Sequence, residues 1–375
     1  NFSIMNEHKK HADLKRRKSG NMASHEIAIL GTKCSVIKTL VEEIAIRLDN
    51  RFKLAYADAS HSMNMPPFYL DNFTFHDSGS LHHEVSYEMN PYLNKIQFSL
   101  YDLLFINGNH YTGESQILIL DEQKEASVLK RLDQLNDIKF MINVNHESKI
   151  FGFLKKKYPH IEHLKIYNIN DTEAISAHII KLIKQNIAEV QGLVLAGGKS
   201  LRMGQDKGLL DYFGKSQRTY SFELLEKLNL KTYLSVRKEQ AAVAERIIED
   251  TFIGLGPFGA ICSAFQHDPN KAWLALATDL PYVDEKLIGL LLEKRDPSKV
   301  ATALKGKNKN FPEPLITIWE PKSFPIMLQF LAQGISCPRK VLINSDVNII
   351  EVNDEFILNV NTPEEFSEVK KDLKK

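Results

Sequence analysis

From residue 26 onward, short β-branched or apolar runs alternate with longer stretches of helical periodicity, the pattern of strand-helix-strand units and parallel sheets. Strands are predicted at 26–30 (EIAIL), 52–58 (FKLAYAD), 102–107 (DLLFIN) and 139–145 (KFMINVN). A second set follows at 192–196 (GLVLA), 232–236 (TYLSV), 272–278 (AWLALAT), 315–319 (LITIW) and 347–352 (VNIIEV). Between the sets, residues 173–190 place Ile175, Ile179, Ile180, Leu182 and Ile183 on one helical stripe, which predicts an amphipathic helix running into the second half. The seam falls near residue 187, giving an α/β domain at 22–187 and another at 188–375. A chain of 375 residues at about 150 per domain agrees with two. Residues 59–98 carry only weak periodicity and predict no definite element.

Composition changes this picture little. With 48 Lys+Arg against 47 Asp+Glu, no global charge recommends a nucleic-acid or membrane surface, so anion recognition has to be local. No apolar stretch approaches the roughly 20 residues of a membrane helix, and a cytoplasmic protein is expected. Residues 1–21 hold six Lys/Arg against two acids and read as a disordered basic tail, with Met22 as a candidate natural start. Cys34, Cys262 and Cys337 follow neither disulfide nor zinc spacing; they fit a reducing compartment and read as buried small apolar residues.

The chemistry concentrates at 195–207, LAGGKSLRMGQDK, directly after a predicted strand. Gly197 and Gly198 stand where a parallel sheet exposes its carboxyl edge, and without side chains they let backbone N–H groups approach a phosphate. Ser200 can cap or donate, while Arg202 and Lys207 supply cations for phosphate oxygens. This loop predicts a polyphosphate ligand. It lacks the order of the ATPase phosphate loop and of the dinucleotide fingerprint.

The arrangement Leu195-Ala196-Gly197-Gly198-x-Ser200-x-Arg202-Met-Gly-x-Asp-Lys207 closely resembles the signature of nucleotidyltransferases, above all the MobA-type molybdenum cofactor guanylyltransferases. The likeness continues in order through GLLDYFGK (208–215), EDTFIGLGPFGAICSAF (249–265), ATDLPYV (277–283), PEPLITIW (312–319), PRKVLI (338–343) and NVNTPEE (359–365). It implies a Rossmann-like three-layer nucleotidyltransferase fold and transfer of GMP from GTP to molybdopterin, with Mg2+ as cofactor. It further implies Arg202 and Lys207 on the phosphates, Asp279 as metal ligand, and Asp250, Gly256, Pro257 and Gly259 on guanine and ribose. Arg339 and Lys340 would meet the acceptor. Asn361 would add an oxygen near metal or acceptor, although NTPEE is equally a helix start capped by Thr362 and Glu365. Rivals on the same scaffold are CTP, a sugar phosphate acceptor, or a silent nucleotide-binding regulator.

The first half, AILGTKCSVIKTLVEEIAIRL onward, partly resembles the GTP-binding MobB-type adaptor, and so implies a three-layer P-loop-like α/β domain. Its phosphate loop is degenerate: counting from Gly31, such a loop wants Gly, Lys and Ser/Thr where Val36, Ile37 and Lys38 stand. Lys38-Thr39 arrives one residue late, a swing of about 100° on a helix. Asn107 replaces the acid expected after its strand. A domain used for docking or dimer contacts, with other molybdenum cofactor proteins among the candidate partners, is the expectation; weak nucleotide binding through Lys33 or Lys38 is the alternative.

Overall fold

Continuous apolar runs such as EIAIL and AWLALA form strands buried on both faces, and each of the two sheets is accordingly covered on both sides by helices. The computed structural model describes residues 13–60, 71–84, 90–145, 149–197, 207–237 and 246–373. One compact unit is Ser19–Asn186; the other is Ile187–Lys375 with the described residues up to Lys18.

In the first unit the elements are β1 (Glu26–Leu30), α1 (Cys34–Leu48), β2 (Leu54–Ala57), β3 (Asn72–Phe75), β4 (Leu81–Glu84) and α2 (Pro91–Phe98). They continue with β5 (Leu103–Asn107), β6 (Ser115–Leu120), α3 (Glu125–Lys130), β7 (Ile138–Asn143), α4 (Gly152–Lys157), β8 (Ile166–Asn168) and α5 (Thr172–Gln185). The six-stranded sheet has the order β2-β5-β1-β6-β7-β8, and every pairing in it is parallel. Ile37, Leu40 and Ile44 of α1 and Ile175 and Ile179 of α5 pack on one face with Ile29, Phe105 and Ile117. On the other, Leu118 and Met141 meet Val128, Phe151 and Leu154. β3 and β4 form a separate antiparallel hairpin within the stretch that predicted no element.

The second unit comprises β9 (Val190–Leu195), α6 (Gln217–Lys227), β10 (Thr232–Val236), β11 (Ile247–Glu249), α7 (Pro257–His267), β12 (Ala272–Ala277) and α8 (Glu285–Glu293). β13 (Ala301–Gly306), β14 (Glu313–Trp319), α9 (Ser323–Ala332), α10 (Pro338–Ile343), β15 (Val347–Val352) and α11 (Pro363–Asp372) complete it. The order is β11-β10-β9-β12-β14-β13-β15. Here the purely parallel expectation needs correction, because β14 runs antiparallel to both β12 and β13. β13 was not expected at all, and only residues 307–312 separate it from β14. A link that short closes a hairpin, whereas a parallel crossover needs a dozen residues or more.

Two further corrections concern the tail and the cysteines. From Asp13 on, the basic segment expected to be disordered is held against the turn after α7. Lys15 Nζ lies 2.5 Å from Oδ2 of the buried Asp268, the Lys18 N–H donates to Asn270 Oδ1 at 2.6 Å, and Asn270 Nδ2 donates to the Arg16 carbonyl at 3.0 Å. A carboxylate sheltered from water takes a cation where it can, and the tail supplies one. Of the three cysteines only Cys262 is buried; Cys34 is half-buried and Cys337 exposed. No helix among the described residues is long and apolar enough to cross a membrane.

Candidate active site

β9 and β12 are paired in register through Ala277 and Leu195, so their carboxyl ends open side by side at one edge of the sheet. Gly197 follows β9 there, Asp250 follows β11, and Asp279 follows β12. The Asp250 N–H donates to the Val236 carbonyl at 2.9 Å, which holds that turn beside β10. α7 starts at the same edge. Pro257, at its first position, is preset for helix, and Gly256 before it takes φ 56 and ψ −138, a backbone that side chains rarely adopt. One cavity is lined by Leu195, Gly197, Lys207, Asp250, Gly256, Pro257 and Asp279, together with Ser235, Ala260, Thr278 and Leu315.

The electrostatics centre on Asp279. Its Oδ2 lies 3.4 Å from Lys207 Nζ, and its Oδ1 is buried with no hydrogen-bond partner among the described residues. Burial pushes this carboxyl above the usual carboxylate range, with the Lys207 ammonium pulling it back. Lys207 Nζ also donates to Asn361 Oδ1 at 2.8 Å, and the Val360 N–H donates to the Asp279 carbonyl at 2.9 Å. In the NTPEE segment the helix start expected there is present, with Thr362 and Glu365 forming a capping box on α11, and the Asn361 side-chain oxygen is turned to Lys207.

Asp250 is the second half-buried carboxylate. Ser235 Oγ donates to its Oδ1 at 2.6 Å, and its Oδ2 lies 3.2 Å from where a Cβ on Gly197 would sit. Burial pushes this carboxyl up as well, offset by the Ser235 hydrogen bond and the Arg237 charge.

The other residues named from the sequence fall as follows. Gly198, Ser200 and Arg202 lie outside the described residues. Ala196 is buried, with its N–H on the Ser235 carbonyl at 3.0 Å, and does not line the cavity. Gly259 lies inside α7, where an added Cβ would come 2.3 Å from the Phe252 carbonyl oxygen. Backbone cannot swing away as a side chain can, so Gly259→Ala is expected to lower stability by about 1–3 kcal/mol. Thermal unfolding reads this, and an unchanged melting temperature would show that the turn yields. Lys340 is exposed on α10, outside the cavity lining, and so is Arg339, whose Nη2 lies 3.5 Å from Glu313 Oε2.

Glu313 was not singled out from the sequence. It is 7% exposed at the head of β14, and its Oε1 accepts the Leu315 N–H at 3.1 Å. Burial pushes its carboxyl up, the Leu315 N–H and Arg339 pull it down, and the Asp279 charge adds to the rise. A charged residue heading an apolar strand was the signal. Ser235, a hydroxyl buried at 0% exposure in TYLSV, is a similar one.

The donor set suits a hard divalent cation. An orphaned buried carboxylate oxygen is costly unless a cation or donor meets it, and Asp279 Oδ1 is such an atom; the amide oxygen of Asn361 shares Lys207 with the same carboxylate.

Comparison with known proteins follows the same half of the chain. A family model described as "MobA-like NTP transferase domain" matches residues 192–347. A "Molybdenum cofactor biosynthesis bifunctional protein" of Synechocystis sp. is 32% identical over 222 residues, 55% of this chain and 63% of that protein, so the chain spans less than two thirds of this relative. A "Probable molybdenum cofactor guanylyltransferase" of Carboxydothermus hydrogenoformans is 30% identical over 195 residues, 48% of this chain and 93% of the relative. Among solved structures, molybdopterin-guanine dinucleotide biosynthesis protein A of Archaeoglobus fulgidus is similar at 23% identity and a TM-score of 0.42, over 49% of this chain and 98% of that one.

Proposed function

The chain belongs to the MobA-like NTP transferase family, and from that premise we propose that it transfers GMP from GTP to the terminal phosphate of molybdopterin and releases pyrophosphate. The observation that carries this reading is the half-buried pair of Asp279 and Lys207, set at one sheet edge with Asp250 lining the same cavity.

In this reaction an acceptor phosphate oxygen forms a bond to the α-phosphorus as the bond to the β-phosphate oxygen breaks. The attacking group is already an anion, so no general base is needed. What the protein contributes is position and compensation of charge on the leaving oxygens. Lys207, steered by Asn361 and Asp279, places an ammonium against those oxygens. Gly197 leaves backbone open to them, and Gly198, Ser200 and Arg202 extend the cradle in our reading. Asp250 accepts from N1–H and N2–H of guanine, with Gly256 and Pro257 fixing the turn beside the base. A divalent cation, Mg2+ in our reading, would sit against Asp279 with Asn361 nearby and supplies further charge neutralisation when bound. Arg339, tethered by Glu313, and Lys340 receive the acceptor's phosphate. A cytoplasmic setting belongs to the same proposal.

The test is pyrophosphate release and dinucleotide formation with molybdopterin and each of GTP, CTP, ATP and UTP in turn. GTP is expected to exceed the others by more than about tenfold, the effect of one set of base contacts worth roughly 1.4 kcal/mol or more. Equal turnover with CTP, or activity confined to sugar phosphates, overturns the assignment while leaving the family intact.

A further inference from the structure

The first unit keeps a chemically distinctive cluster at its own sheet edge. Cys34 is the first residue of the 15-residue helix α1, which follows β1 through Gly31, Thr32 and Lys33. This is the place where a phosphate-binding loop would hold its anion. Ile37 stands at the position of such a loop's lysine and is fully buried in the core, and Lys38 is exposed and paired with Glu42 at 3.9 Å. The edge is therefore poorly made for phosphate. What stands there instead is a sulfur.

A ring nitrogen and an amide N–H converge on it. His110 Nε2 is 3.2 Å from Cys34 Sγ, and Asn109 Nδ2 is 3.5 Å from it while also donating to the Thr32 carbonyl at 2.9 Å. An amide NH2 has two protons, so the second is available to the sulfur. The thiol can give its proton to the ring nitrogen, and the sulfur then accepts from both groups. The N-terminus of α1 adds its positive end, with no acidic residue in its first turn.

A carboxylate stands beside the imidazole. Asp58 Oδ1 lies 3.8 Å from His110 Nε2. That carboxylate is itself held by Asn107 Nδ2 at 2.8 Å on Oδ1 and by the Tyr56 hydroxyl at 2.9 Å on Oδ2. Burial and the Asp58 hydrogen bond push Tyr56 far above its ordinary range, so it remains a donor. The other charges near the cluster are Lys33 next in sequence, Asp121 on the Thr32 hydroxyl at 2.8 Å, and Arg131, whose Nη2 donates to the Asn109 carbonyl at 2.9 Å. Asp58 and Asp121 oppose negative charge on the sulfur; Lys33, Arg131, the helix end and His110 once it has taken the proton favour it.

We propose that Cys34 is a nucleophile, paired with His110 as its base, and a site of reversible modification by small-molecule disulfides. The Cys34 thiol proton passes to His110. The thiolate attacks one sulfur of the disulfide, a new S–S bond to Cys34 forms, and the other half leaves as a thiolate.

The chain supplies its own controls. Burial pushes the Cys262 thiol up to about 12, which makes it inert, and Cys337 is exposed without this cluster. The full chain is treated with iodoacetamide between pH 5.5 and 9, and labelling at each cysteine is followed by peptide mass mapping. The Cys34 peptide is expected to label at least tenfold faster than the Cys337 peptide at pH 6.5, with the difference shrinking toward pH 9. Glutathione disulfide is expected to leave one glutathionyl group on Cys34. His110→Gln is expected to bring the Cys34 profile to that of Cys337. The wild-type profile decides even if that variant misfolds. Cys34 labelling with the same pH dependence as Cys337, no labelling, or rapid alkylation without a glutathionyl adduct overturns the proposal.

Discussion

Asp279→Asn is expected to reduce turnover by about 10²–10³-fold, the usual cost of deleting one preorganised charge contact at a developing negative centre, while leaving the fold as stable as before or more so. The two effects have one origin. Asp279 Oδ1 is buried with no partner among the described residues, an arrangement that suits a ligand and penalises the empty protein. Burial raises this carboxyl above its unfolded value, so between the two values the native state holds the proton more tightly than the unfolded chain. Stability therefore falls as pH rises through that window, and at neutral pH the charged group is a burden that asparagine removes. The activity of the wild type should follow the opposite course, rising as Asp279 ionises, with its acid limb above the ordinary carboxylate value of about 3.9. Pyrophosphate release and thermal unfolding at pH 7 on the same preparation check both. A variant that keeps more than a tenth of wild-type turnover places the charge elsewhere; one that loses activity and melts lower has lost structure instead of chemistry.

The strands at 26–30, 232–236 and 347–352 were legible to the residue, because β-branched and apolar runs bounded by polar turns need no tertiary information to be recognised. β13 was not. Ala301, Ala303 and Gly306 are too small to announce a strand, and they are buried because β14 and β15 flank them, a fact of pairing across the chain. The direction of β14 followed from the same omission. At the site, the glycines and the aspartates at strand ends were visible as motifs. What could not be read were the partnerships: Ser235 with Asp250, Glu313 with Arg339, and Cys34 with His110, separated by 15, 26 and 76 positions. Cys34 shows the limit most clearly. A solitary cysteine carries no spacing signal, so average burial was the only guide, and the fold placed it at a helix start beside an imidazole.

Asp250→Asn is expected to change which purine the site accepts. Ser235 donates to Oδ1 at 2.6 Å, which fixes the carboxylate and leaves Oδ2 toward Gly197 and the cavity. In the variant the Ser235 hydroxyl still requires an acceptor, so the amide oxygen takes the Oδ1 place and the NH2 group replaces Oδ2. Guanine presents N–H donors there, and two donors face each other with an unsatisfied group buried between them. Losing a hydrogen bond to a charged partner in such a place costs about 1.5–3 kcal/mol, so kcat/KM for GTP should fall by roughly 10- to 150-fold. Xanthosine triphosphate carries a carbonyl in place of the guanine amino group, and the new NH2 can donate to it. The ratio of kcat/KM for the two nucleotides should therefore move toward the xanthine form by at least about tenfold. Arg339→Ala, which touches the acceptor side, should leave that ratio alone. Steady-state kinetics with both triphosphates decide it: an Asp250→Asn enzyme with undiminished GTP use would mean that the base is read by other groups, and a loss for both nucleotides alike would make Asp250 a support for the turn instead of a reader of the base.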